Sequence, residues 1–143
     1  MTLFERLKTL LPRKYKNLPP HLREGRIGED AAARYLCRRG YGIVCRNFTS
    51  GKNEIDIIAE TKDTFILCEV KSRVQTYGEP HPFGRPASAV DEKKKRNLLA
   101  AAAVFERRNH SSGKAFRFDV IEVYLSPKYK ITHIHHIKNA FMR

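Results

Sequence analysis

Apolar residues recur at two different spacings along this chain, and the changes between them mark its elements. From Ile27 to Arg39 the residues Ala31, Ala32, Tyr35 and Leu36 return at helical intervals, and Gly40 stands where such a helix would stop. The interval shortens to that of strands in YGIVCRNF and again in NEIDIIAETKDTFILCEVKSR, where Lys62 and Asp63 divide two apolar runs as a hairpin turn would. Gln75 to Pro86 is rich in Gly and Pro and reads as a loop. Ser88 and Asp91 resemble a helix start, and Val90, Lys94, Leu98, Ala101 and Phe105 then share one face of a helix running to about Arg108. AFRFDVIEVYL and ITHIHHI supply two closing strands. The order α-β-β-β-α-β-β predicts one α/β domain, a mixed central sheet flanked by helices.

The first twenty residues follow another pattern. Thr2 and Glu5 have capping-box spacing, Leu3, Phe4, Leu7, Leu10 and Leu11 fall on one helical face, and Pro12 ends it ahead of a basic, proline-containing linker. Residues 1–21 therefore read as an amphipathic extension and linker, and 22–143 as the domain. Such a helix suits docking to a membrane surface or a partner. The simpler reading, taken here, is an extension packed on its own domain, or a self-association patch that would make a homodimer.

Charge changes the picture next. The 143 residues carry 28 Lys and Arg against 15 Asp and Glu, a net charge of +13. That balance suits a polyanionic partner, nucleic acid ahead of a membrane surface. No apolar run approaches the roughly 20 residues needed to cross a bilayer, and charges interrupt the start, so neither an integral membrane segment nor a secretory signal is expected. Cys37, Cys45 and Cys68 have no C-x-x-C spacing and read as reduced, mostly buried thiols of a cytoplasmic protein.

Against this background the acids of the hairpin stand out. Glu54 and Asp56 interrupt its first strand; Glu69 and Lys71 end its second. Residues two apart on a strand share a face, and pairing about Lys62-Asp63 sets Asp56 almost opposite Glu69. Two carboxylates that close repel in a dry site. A divalent cation removes the penalty, and Mg²⁺ or Mn²⁺ favours such oxygen ligands, with the Val70 carbonyl able to complete the set. Lys71 could then orient a water for attack on a phosphate. The plain alternative is a cross-strand ion pair on an exposed sheet. The interleaved Ile55, Ile57, Ile58, Phe65, Ile66, Leu67 and Val70 argue against it, because they make these buried-type strands.

Several motifs, taken together, resemble the YraN-like family of uncharacterised bacterial proteins. G-x-x-G-E-x-x-A-x-x-Y-L falls on Gly25 to Leu36, R-N on Arg46-Asn47, E-I-D on Glu54 to Asp56 and E-V-K-S-R on Glu69 to Arg73. F-G-x-P-x-x-A-V falls on Phe83 to Val90, R-F-D-V on Arg117 to Val120 and H-I-x-N-A-F on His136 to Phe141. The match covers roughly residues 22 to 142. The resemblance implies a restriction-endonuclease-like, three-layer fold of the PD-(D/E)xK type and a Mg²⁺-dependent endonuclease core of Asp56, Glu69 and Lys71. It adds Glu29, from the first helix, as an acidic group near the metal, although an acid there also suits a helix N-terminus. Glu54 is either a neighbour of the metal ligands or a solvent-facing acid at the strand start. Fold analogy makes branched or junction DNA the expected substrate; the alternative is a non-catalytic nucleic-acid-binding or adaptor protein on the same scaffold. Two departures stand out: Asn53 replaces the usual Gly before E-I-D, and QTYGEPHP lengthens the loop after Arg73.

Other residues carry weaker signals. Lys94 could reach a phosphate from its apolar stripe or snorkel to water. Lys93, Lys95 and Arg96 form a basic face that, with Arg73, would hold phosphates. His133 and His135 share a strand face, but no supporting spacing makes a zinc site. Arg117-Phe118-Asp119 reads as a structural ion pair or strand-edge contact. Tyr41, Phe48 and Phe118 could stack on bases, though aromatics in strands more often belong to the core.

Overall fold

A computed structural model describes residues 11–79 and 92–140. Its elements are α1 (Arg13–Lys16), α2 (Pro20–Arg38), β1 (Gly42–Ser50), β2 (Asn53–Glu60), β3 (Thr64–Val74), α3 (Glu92–Asn109), a 3₁₀ turn (His110–Ser112), β4 (Ala115–Leu125) and β5 (Ile131–Ile137). The strands form one sheet in the order β1-β2-β3-β4-β5. Only β3 and β4 are parallel, and α3 provides the crossover such a pair needs.

The sheet is buried on both faces, which is why its strands read as apolar runs. On one face α2 packs Ile27, Ala31, Ala32 and Leu36 against Ile57, Ala59, Ile66, Cys68, Ile121 and Val123. On the other, α3 packs Leu98, Ala101, Ala102 and Phe105 against Ile55, Ile58, Phe65, Leu67 and Phe118. The result is three layers, helix–sheet–helix, the arrangement expected of a restriction-endonuclease-like α/β fold. The hairpin turns at residues 61–63, where Thr61 N–H donates to the Thr64 carbonyl at 2.9 Å.

Helix α2 starts at Pro20, seven residues ahead of the expected Ile27. Its first turns are polar and exposed, so no apolar period announces them. The start is set instead by proline, whose fixed φ suits the first helical position and whose missing N–H costs nothing there. Ahead of it, α1 turns Tyr15 into the core, 5% exposed, and its hydroxyl donates to Asp30 Oδ2 at 2.7 Å. Residues 13–18 thus pack on the domain. Leu3 to Leu10, the proposed start Ser88 and Asp91, residues 80–86, the F-G-x-P motif and Phe141 lie outside the described residues.

Among the cysteines, only Cys68 is buried; Cys45 is half-buried and Cys37 exposed on the outer side of α2. Asn53, where the family usually has Gly, is not in the left-handed region. It pairs with Ser50 inside the ladder, and Gly51 carries the positive φ, +61°. On the paired strand β1, Asn47 is left-handed, at φ +53°.

That residue breaks the sheet's alternation. Ile55 packs with α3 and Ile57 with α2, although they are two apart. Across the ladder, Phe48 pairs with Ile55 and packs on the α3 side, while Arg46 pairs with Ile57 and reaches α2 residue Asp30. Both strands therefore exchange faces at Asn47 and the residue between its partners, Asp56.

Candidate metal and catalytic centre

Asp56 sits where β2 leaves β3. The ladder between them ends at Ile57 opposite Cys68. One step on, Asp56 Oδ2 replaces the lost backbone partner, accepting from Val70 N–H at 2.8 Å. Extending the register by that step brings Asp56 opposite Glu69, as the hairpin predicts.

Helix α2 brings the third element. Gly28 passes so close to β3 that an added Cβ would lie 2.9 Å from Ser72 Cβ. This close approach sets Glu29, the next residue, at the splayed end of the hairpin. Glu29, Glu54 and Asp56 each present an oxygen there, all within 4.8 Å of one another. Glu54, which the sequence leaves between neighbour and solvent-facing acid, joins the cluster. The sequence carries one signal for it, its position two residues before Asp56 on the same strand.

Glu69 occupies the other side of Asp56. It is 8% exposed, its Oε1 is 3.3 Å from Lys94 Nζ of α3, and its Oε2 is buried with no hydrogen-bond partner among the described residues. Burial first, then Asp56, pushes its carboxyl up to about 7, against the pull of Lys94. Burial likewise raises Glu29, with Asp56 adding to it and Arg46 opposing. Lys94 is held above its ordinary value: burial works to lower it, and Glu69 outweighs that. Four carboxylates are thus gathered at one end of the hairpin, with Arg46 and Lys94 drawn in beside them.

Lys71 shares the Glu69 face of β3 and is in register with Glu122 of β4, which in turn pairs with His135 of β5. Glu122 is 1% exposed, with Oε1 2.8 Å from His135 Nδ1 and Oε2 accepting from the Tyr124 hydroxyl at 3.3 Å. His133 stacks on Tyr77, ring centres 3.9 Å apart. His135 meets the same Tyr77 ring edge-on at 5.5 Å, so the two histidines share an aromatic neighbour. Lys93 and Arg96 lie on α3 beside Lys94, and Arg73 is in register with Tyr124 at the end of β3. Of the aromatic candidates, Phe48 and Phe118 belong to the α3-side core, and Tyr41 packs at the edge of the α2-side core.

The R-F-D and H-I-x-N-A motifs form one clasp on the α2 side of the sheet, where His136 also meets Tyr35. Asp119, 1% exposed, accepts from Arg117 Nε at 2.8 Å and Nη2 at 2.8 Å and from the Asn139 backbone N–H at 2.9 Å, with His136 Nε2 at 2.7 Å. Asn139 adopts φ +52°, and Ala140 N–H donates to the Phe118 carbonyl at 2.8 Å. Every Asp119 lone pair is engaged, which identifies the clasp as structural.

A five-stranded mixed sheet between two helices, with an acidic cluster at the mouth of a splayed hairpin, places the molecule among α/β proteins of restriction-endonuclease-like architecture. Residues 28–123 match the uncharacterised protein family UPF0102, the YraN-like proteins, and the chain belongs to that family. A UPF0102 protein of Caldicellulosiruptor saccharolyticus is 38% identical over 117 residues, covering 82% of this chain and 95% of that protein. One of Caldanaerobacter subterraneus is 39% identical over 118 residues, 82% and 93% of the two chains. One of Phocaeicola vulgatus is 40% identical over 121 residues, 85% and 93%.

Proposed function

We propose that the chain is a divalent-metal-dependent nuclease, cutting phosphodiester bonds of nucleic acid, with DNA as the first substrate to test. The observation that carries this is the convergence of Glu29, Glu54 and Asp56 beside a buried Glu69, one of whose oxygens has no hydrogen-bond partner among the described residues. All the donors are hard oxygens, and three of them converge within 4.8 Å of one another, so the set fits Mg²⁺ or Mn²⁺. Asp56, Glu29 and Glu54 would hold the ion, with Glu69 and the Val70 carbonyl as further oxygen ligands. Bound there, it would polarise the phosphoryl oxygen and lower the pKa of a water. Lys71 would orient the attacking water and stabilise charge on the phosphate. Val70 N–H fixes the Asp56 carboxylate.

Calorimetric titration with Mn²⁺ tests the centre before any substrate is known. Heat is expected from the wild type and none from Asp56→Ala. A panel of linear, branched and junction DNA and of RNA then tests cleavage. Nicking with Mg²⁺ or Mn²⁺ should be lost in Asp56→Ala and Lys71→Ala while binding persists.

One observation favours a second reading. Lys94 already supplies Glu69 with a positive charge at 3.3 Å, as a scaffold without metal would require. A non-catalytic nucleic-acid-binding or adaptor protein would bind the same panel, cut none of it and give no Mn²⁺ heat.

A further inference from the structure

The outer side of α2 carries a line of cations. Residues four apart on a helix stack above one another, and Arg26, Asp30, Arg34 and Arg38 do so here. Arg34 and Arg38 line two adjoining cavities, of about 420 Å³ and about 400 Å³. The first also contains Lys14, Arg46 and a single acid, Asp30, so four cations face one carboxylate. That carboxylate is already satisfied by Tyr15, by Arg46 at 2.8 Å and by Lys14 at 3.4 Å. The second adds Arg39 and no acid. Both Arg34 and Arg38 are exposed, and neither has an ion-pair partner among the described residues.

The set is continuous with the acidic cluster. Arg46 bonds Asp30 and also approaches Glu29 Oε2, at 3.9 Å. Arginine suits phosphate because its planar fork donates in pairs. Guanidinium groups beginning where the carboxylates end are arranged as a path for a chain of phosphates.

We propose that the outer face of α2 carries the nucleic-acid strand leading away from the acidic cluster, with Arg34 and Arg38 holding successive phosphates and Arg39 the next. At the helical rise, Arg38 lies about 14 Å along the axis from Glu29. That distance is about four nucleotides at the rise of one strand of duplex. The proposal rests on the nucleic-acid reading of that cluster and names the surface its substrate uses.

The test is fluorescence anisotropy of labelled duplex and single-stranded oligonucleotides with the full chain in EDTA, over a series of KCl concentrations. Arg34→Gln/Arg38→Gln should bind about tenfold more weakly, and its plot of log affinity against log salt should be flatter by about 2, one for each phosphate no longer held. Lys128→Gln/Lys130→Gln, at the β4–β5 turn, should leave the slope as it is. Thermal unfolding of both double variants should match the wild type, since all four side chains are exposed. An unchanged slope in the arginine variant overturns the proposal, as does an equal loss in the lysine variant. Loss of binding to phosphatidylserine vesicles with oligonucleotide binding intact also overturns it. Because EDTA removes metal, a chain that never cleaves can still show the slope change; hydrolysis would then be refuted and the strand path retained.

Discussion

Two residues show how a single side chain can be decided by surroundings that its neighbours in sequence do not reveal. Asp119 is buried with Arg117, His136 and the Asn139 N–H around it. Removing its carboxylate leaves the half-buried Arg117, His136 and the Asn139 N–H without their acceptor, so Asp119→Ala is expected to cost about 1–3 kcal/mol, read as a fall in the urea midpoint. The Arg117–Asp119 pair was legible because the two are two apart on one strand. His136 and Asn139 were not, because they come from the next strand and the turn after it. Asn47 is the second case. Its positive φ is one that β-branched residues adopt only under strain. Asn47→Gly should fold about as well as the wild type, whereas Asn47→Val should lose about 1–2 kcal/mol by the same measurement. The sequence offers Arg46-Asn47 as a motif and gives no sign of the exchange of faces there, since Ile55, Ile57 and Ile58 are all apolar and suit either side.

At the scale of elements, helix α2 and strand β3 are locked by absence of a side chain. Gly28 lets the helix axis approach Ser72. Gly28→Val would push α2 off the sheet, with an overpacking cost of about 1–3 kcal/mol. It should also displace Glu29 from Asp56 and Glu54, so Mn²⁺ heat falls even at temperatures where the fold persists. Strands and the two long helices were readable because burial on both faces writes long apolar runs and the helices carry 3.6-residue stripes. The missed first turns of α2 have neither. Lys71 and Glu69 were legible as neighbours by simple alternation, and the hairpin register followed from its turn. Lys94 was legible only as a cation on an apolar stripe; its aim at Glu69 depends on how α3 crosses the sheet.

For the whole molecule, burial of an acid beside other acids makes stability depend on pH and metal. Glu69, raised to about 7 in the fold from an ordinary 4.5, favours its protonated form there. Its contribution is fully present below about pH 4.5 and is lost as pH rises through about 7. Asp119 runs the other way. Burial works against its low value, but His136, Arg117 and the Asn139 N–H outweigh that, so its contribution is lost only as pH falls toward and below the ordinary Asp range. Between about pH 5 and 8, metal-free protein should therefore lose stability as pH rises, and Glu69→Gln should flatten the decline. Mn²⁺ should raise the thermal midpoint most at the alkaline end, where Glu69 is ionised. Thermal scans with EDTA and with Mn²⁺ across that range check both. The basic surface, by contrast, was legible as a net charge and as the lysine run of α3, not as the arginine line of α2. Its division between α3 and the outer side of α2 needs the fold.

The clasp around Asp119 has a consequence for how the chain is made. Strand β4 lies between β3 and β5, and although Arg117 is already on β4, two of the groups that hold its buried acid arrive 17 and 20 positions later. During synthesis, everything through Leu125 can emerge while that carboxylate still lacks its imidazole and amide partners. Final closure must wait until about residue 140 clears the ribosomal exit. Nascent chains stalled short of that point should remain protease-sensitive, and those released just beyond it should become resistant in a single step.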